Sequence, residues 1–169
     1  MAKQNRNFMV APVLYGLVRT DLPSMNPGKG MAQIHHAGVQ MVAKYPNHPL
    51  VKEYISQGIR QGADNFNTTI TLDATKSDID WIETQVTINK MVEKKTCLYG
   101  KVIDPSYPFL MNADEYEFFR FCKIPGFTGK YISPTQVACT RPELTVAWFL
   151  GDMANPAFKE MFAKLNLHP

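Results

Sequence analysis

Lys29 stands alone between Gly28 and Gly30, behind a loop of Pro, Ser, Asn and Gly, and is followed by Gln33, His36 and Gln40 at i+4, i+7 and i+11. That spacing lines the four polar side chains along one face of a helix that begins at the lysine. An ammonium at a helix N-terminus suits an anion, because the unpaired backbone N–H groups there already carry partial positive charge. A phosphate would meet that description. Other polar residues stand at the ends of apolar runs: Arg19-Thr20-Asp21 after Val13 to Val18, and Asp104 before Pro105-Ser106. Each has a plainer reading as well. Lys29 can be an exposed loop lysine, Asp104 a turn residue, His36 a structural histidine, and Asp21 a cap or brace for the lysine loop.

Other chemistries find little support. Cys97, Cys122 and Cys139 are odd in number, widely spaced and free of any C-x-x-C pair, so neither a disulfide framework nor a zinc site is indicated. Each reads as a small apolar core residue. His35 and His36 point to different faces of one helix, His48 and His168 lie in loop or terminal contexts, and no H-E-x-x-H occurs, so no metal is expected. Gly30 follows the lysine where a Walker A loop needs Ser or Thr. No G-x-S-x-G elbow or Cys/His nucleophile signature is present.

Residues 1–60 hold seven Lys/Arg against two Asp/Glu, residues 61–115 five against nine, and residues 116–169 six against four. A basic first third that contains the lysine loop suits a phosphate backbone, although an unevenly charged solvated surface gives the same counts. With 169 residues, 45% hydrophobic and 20% charged, the chain reads as a single domain, 1–169, that buries a core. No apolar stretch approaches the roughly 18 residues of a membrane span. Lys3 and Arg6 ahead of Phe8 to Val18 resemble a weak signal peptide, but Pro12 interrupts that segment and Arg19-Thr20-Asp21 occupies the cleavage position. A first strand and a cytoplasmic protein are expected, with no membrane partner.

The elements that must position these residues alternate. A strand over Val13 to Arg19 leads to a helix over Lys29 to Lys44, with Met31, Ile34, Gly38 and Met41 as its apolar stripe. A second helix runs from about Pro49 to Gln61 on Val51, Tyr54, Ile55 and Ile59. Thr68 to Leu72 reads as a strand. Ser77 with Asp80 resembles a capping box opening a helix to about Lys94. Thr96 to Ile103 is a third strand, closed by a turn at Asp104-Pro105-Ser106. An aromatic stretch follows, with a short helix over Asp114 to Phe121 capped by Asn112 and loop at Pro125-Gly126 and Thr128-Gly129. Leu144 to Leu150 is the last strand, and Asn155-Pro156 starts a final helix carrying Phe158, Phe162 and Leu165. The expectation is one α/β domain with a mixed four-stranded sheet covered by helices.

V-R-T-D-L at 18–22, M-x-x-G-K ending at Lys29 and A-Q-x-x-H-A at 32–37 together resemble the opening signature of the type II peptidyl-tRNA hydrolases. Val102-Ile103-Asp104, Thr135-Gln136-Val137-Ala138 and Leu144-Thr145-Val146-Ala147 to Gly151 resemble that family's later motifs, so the likeness covers 13–104 and 135–152. It departs at Pro27, where the family has a first loop lysine, at Pro105-Ser106 in place of Ala-Gly, and in an aromatic insertion at 108–134. The resemblance implies hydrolysis of the ester between a peptide and the 3′ end of tRNA, without a cofactor. It implies Lys29, Asp104 and Thr135 as catalytic residues, and Arg19, Asp21, Gly28, Gln33, His36, Gln136 and Thr145 as substrate-binding ones. Lys29 would stabilise the oxyanion or bind a terminal phosphate. Asp104 would either orient Lys29 or position the water, with the orienting role favoured because a carboxylate beside an ammonium is a weak base, and the Thr135 hydroxyl would share their pocket. The partner implied is the acceptor end of tRNA, and a homodimer is compatible with it. The alternative is a non-catalytic descendant that binds tRNA or protein. The insertion reads either as a small satellite core or as a platform that stacks the unpaired tRNA end.

Overall fold

Pro12–Arg19 forms a strand, β1, whose eight residues are all buried. The computed structural model describes residues 12–60 and 67–169, and it gives β1 a neighbour on each edge. Thr69–Ala74, β2, runs parallel to it, and Gln136–Asp152, β5, antiparallel. Cys97–Asn112, β3, pairs antiparallel with the other edge of β5, and Thr128–Ser133, β4, pairs with the first residues of β5. The order is β2-β1-β5-β3, with β4 off that path. The result is a single α/β domain with an open, mixed, five-stranded sheet.

Pro27–Lys44, α1, and Pro49–Arg60, α2, cover one face of the sheet. There Leu14 and Val18 of β1 pack with Ile34, Ala37, Met41, Val51 and Trp148. Lys76–Ile88, α3, and Pro156–Glu160, α5, cover the other, where Tyr15 and Leu17 meet Ile79, Ile82, Val86, Phe149 and Phe158. Alternate residues of β1 thus serve two cores, which is why its sequence is apolar almost without interruption. Gly16 lets α1 approach closely, since a Cβ there would stand 2.0 Å from Ile34 Cδ1.

The expected four strands are five. Both β3 and β5 extend past the body of the sheet as a ribbon, β4 joins the ribbon where loop was expected, and Ala113–Phe121, α4, packs on it. The turn expected at 104–106 is a bulge inside β3. Asp104 pairs with Glu143 and Tyr107 with Arg141, so Pro105 and Ser106 lie opposite Pro142 alone. A bulge at a sheet edge admits proline, which has no N–H to give to a ladder. Thr145 is the extra residue of a second bulge, because Val102 pairs with Val146 and Ile103 with Leu144.

Several boundaries also move. Helix α1 begins at Pro27 with Asn26 as its cap, and its buried stripe is Gly30, Ile34, Ala37 and Met41, leaving Met31 exposed. Helix α3 is capped by Thr75, which forms the reciprocal box with Asp78, while Asp80 pairs with Lys76. That helix ends at Ile88, well short of Lys94. Helix α5 stops at Glu160, so Phe162 follows it in a turn and Leu165 lies just beyond that turn. Cys97 and Cys139 are buried as expected, and Cys122 is exposed. The segment resembling a signal peptide lies mainly outside the described residues, as do Gln61 and the Ile59 side chain.

The chain end closes the edge of β2. Asp73 N donates to Asn166 O and His168 N to Thr71 O, and Leu72 bridges Leu167. The His168 imidazole, 3% exposed, meets Asp73 Oδ1 at 2.5 Å through Nδ1. It fills the space beside Gly30, where a Cβ would stand 2.6 Å from its Nε2.

Candidate functional site

Strands β1 and β2 both end at the same edge of the sheet, and α1 and α3 both begin there. Loops at the carboxyl ends of parallel strands are where α/β sheets place ligands. Lys29 is the third residue of α1, and its backbone N–H is received by the Asn26 side chain at 3.0 Å. No acidic residue lies in that first turn. A cation at the positive end of a helix opposes the macrodipole, at a cost of about 0.3–1 kcal/mol in an exposed setting. The half-buried Lys29 carries its Nζ over the Tyr107 ring, 5.3 Å from the centroid, and forms no ion pair among the described residues. Two positive features that repel one another in the free protein are thereby aimed at one place. An anion would satisfy both.

Around this point the chain is braced by charge. The buried Arg19 guanidinium donates to Asp21 through Nε at 2.5 Å and Nη2 at 3.0 Å, and to the Leu144 carbonyl through Nη1 at 3.3 Å. Nη1 also lies 3.5 Å from Glu143 Oε1, and Arg141 holds the same glutamate at 2.8 Å. Asp21 Oδ2 accepts from the Lys76 backbone N–H at the start of α3. Burial works to raise the Asp21 pKa, but the hydrogen bonds from Arg19 and Lys76 and the charge of Arg19 outweigh it. The carboxyl therefore titrates below the usual aspartate value. Ser24 Oγ donates to the Pro108 carbonyl and ties the lysine loop to β3.

The polar stripe of α1 divides in two. Gln33 Oε1 and the Val102 carbonyl each lie 3.2 Å from Thr145 Oγ1, which is fully buried in its bulge. Gln40 accepts from Trp148 Nε1 at 2.7 Å and donates to the Lys101 carbonyl at 3.0 Å. Both glutamines therefore dock α1 onto the sheet. His36 and Gly28 are exposed. Arg19 and Asp21 are engaged with each other, which accords with a brace. Asp104 is half-buried, and its Oδ1 accepts from Ser106 N at 2.9 Å, an Asx turn inside the bulge.

Thr135 is not brought to Lys29. It sits in the exposed turn between β4 and β5 at the far end of the ribbon, with its Oγ1 3.4 Å from Ser133 Oγ. Gln136 follows it there, paired with Asn112. From Glu143, opposite Asp104, back to Thr135 is eight residues of β5 and its turn, or roughly 25 Å at about 3.3 Å per residue. Thr135 therefore does not join Lys29 and Asp104 in the expected pocket, because the ribbon carries the Thr-Gln motif away from the sheet. The residues that do meet Lys29 or brace its loop and were missed in sequence are Tyr107, Ser24, Arg141 and Glu143. Arg141 and Glu143 at i and i+2 on one strand face carried a readable signal. Tyr107 carried none that set it apart from its aromatic neighbours.

Searches of protein-family models and of curated proteins return no match to this chain.

The remaining chemistry is sparse. Burial pushes the Cys97 thiol up to about 12 and raises that of Cys139, which leaves both protonated and unreactive. Among the described residues, no three His, Cys, Asp or Glu side chains converge as they would around a metal ion. No helix among them is long and apolar enough to cross a membrane. Hollows of about 580 and 530 Å³ lie between α3 and α5 and between α1, α2 and β2, and neither is lined by Lys29, Asp104 or Thr135.

Proposed function

We propose that this protein hydrolyses the ester between a peptide and the 3′-terminal ribose of tRNA, in the cytoplasm and without a cofactor. The observation that carries the reading is Lys29, an ammonium held at the start of α1 with no carboxylate partner among the described residues, within a stretch that resembles the type II peptidyl-tRNA hydrolases. The ester is already activated, so most of the catalysis can come from positioning water and holding the oxyanion of the tetrahedral intermediate. Lys29 and the α1 dipole supply that stabilisation. Asp104, the one carboxylate of β3, is anchored in its bulge by Ser106 N and forms no ion pair with Lys29, so of its two roles it takes the positioning of water. Thr135 has no part in this version.

The position of Thr135 favours a second reading, in which the fold binds tRNA or protein without turnover. One experiment separates them: release of acyl-amino acid from N-blocked aminoacyl-tRNA by the purified protein, with Lys29→Ala beside it. Hydrolysis that falls by about two orders of magnitude in the variant, the scale of one lost oxyanion donor, supports the enzyme. Retained turnover in Lys29→Ala removes the lysine from the chemistry. Binding of the tRNA with no release supports the second reading.

A further inference from the structure

Tyr107 is the one large aromatic residue of the ribbon that is almost wholly buried, 2% exposed, and it lies directly beneath the Lys29 ammonium. Its hydroxyl has no hydrogen-bond partner among the described residues. A tyrosine kept for its hydroxyl normally finds that group a partner when buried, so the ring is the part in use. Three features hold the ring in place. The bulge at Pro105-Ser106 resets the register so that Tyr107 faces Arg141, Ser24 grips the carbonyl of the next residue, and Phe109 beside it carries the Arg141 guanidinium 4.7 Å from its centroid.

From this we infer that Tyr107 is a positioning residue for Lys29. The face of an aromatic ring carries negative charge density and attracts a cation within about 6 Å. Here it offsets the repulsion between the ammonium and the helix dipole, and it does so without a carboxylate. A carboxylate in that place would neutralise the lysine and compete with the incoming anion. The ring restrains the side chain and leaves its N–H donors for the anion. Lys29 meets the ligand, and Tyr107 acts through Lys29.

The contact can be read without any substrate. Reductive methylation with ¹³C-formaldehyde puts an NMR probe on each lysine nitrogen and preserves its charge, and the Lys29 signal is the one missing from Lys29→Ala. A ring beneath it shifts that signal upfield in the wild type and in Tyr107→Phe, and the shift disappears in Tyr107→Leu. An unshifted Lys29 signal in the wild type overturns the inference, and this reading needs only the Lys29→Ala variant, which changes a half-buried side chain outside the core. The turnover arm rests on the ester-hydrolase reading. In it, Tyr107→Leu loses roughly tenfold in kcat with little change in KM, on the scale of one partly desolvated cation–π contact. Tyr107→Phe restores that loss, and in a Lys29→Ala background the leucine change has no further effect. An equal loss in that background means that Tyr107 acts through the fold and refutes positioning. An upfield-shifted Lys29 in a wild type without turnover leaves the contact standing and rejects the hydrolase reading.

Discussion

Replacing Arg19 with Met removes a buried guanidinium while keeping most of its volume, and it leaves two carboxylates facing the gap. Asp21 loses two hydrogen bonds, Glu143 keeps Arg141, and the carbonyl of the buried Leu144 loses a donor. Breaking one side of a buried ion pair costs about 3–5 kcal/mol. Asp21 has a side chain 34% exposed and can rehydrate, so its share is discounted for solvent screening and the low end, about 3 kcal/mol, applies. For a domain of this size that lowers Tm by roughly 6–12 °C at pH 7. The pH dependence gives a second, sharper check. The folded-state pKa of Asp21 is lowered, so its contribution is present above the unfolded value and lost as pH falls through the folded one. The difference in stability between wild type and Arg19→Met is therefore largest at neutral pH and narrows below about pH 4. Calorimetric melts of both proteins at pH 7, 5, 4 and 3 measure it. A loss under about 0.5 kcal/mol at pH 7, or a gap that widens in acid, would show that the Arg19 network is not a brace.

The ribbon supports two further expectations, and the edge of β2 a third. Replacing Arg120, Lys123 and Lys130 together should weaken tRNA binding and flatten its salt dependence if the ribbon touches the nucleic acid, as a titration at two salt concentrations would reveal. Unchanged affinity leaves α4 a structural element. Phe119 packs against Phe127, which also meets Phe109 and Tyr116, while Phe118 is 65% exposed. Urea melts should therefore show about 2 kcal/mol lost in Phe119→Ala and under about 0.5 in Phe118→Ala. Deleting His168 and Pro169 removes the donor to Thr71 O and the Asp73 partner. Hydrogen exchange should then quicken along β2 and the first turn of α1, and exchange unchanged there would mean the chain end is not a latch.

The parts of the fold legible in the sequence are those set by local pattern. The apolar run of β1, the Ile79, Ile82 and Val86 face of α3 and the Asn112 cap of α4 lie where residue spacing placed them, while α1 keeps Ile34 and Met41 of its expected stripe. The ribbon was not legible, because its strands exist only through pairing with β5. Pro105 and Gly129 read locally as turn residues, whereas pairing turns the first into a bulge and seats the Tyr116 ring against the second. The same distance explains the site. Lys29 sits near its own cap and follows from local sequence, while the place of Thr135 depends on how far β5 runs before it reaches the body of the sheet.

The position of β5 also bears on how the chain is made. Val13 to Val18 wait for partners at residues 146–151, so more than a hundred residues must be synthesised before that edge of β1 is covered. At about 5–20 residues per second the delay is on the order of ten seconds. During that time β1 can pair only with β2, and β3 has no neighbour in the sheet at all. Pairings this remote in sequence close slowly, and open apolar edges invite other chains. A nascent chain stalled or cleaved before Leu144 would carry two such edges, which makes the last strand the point at which this protein passes from aggregation-prone to folded.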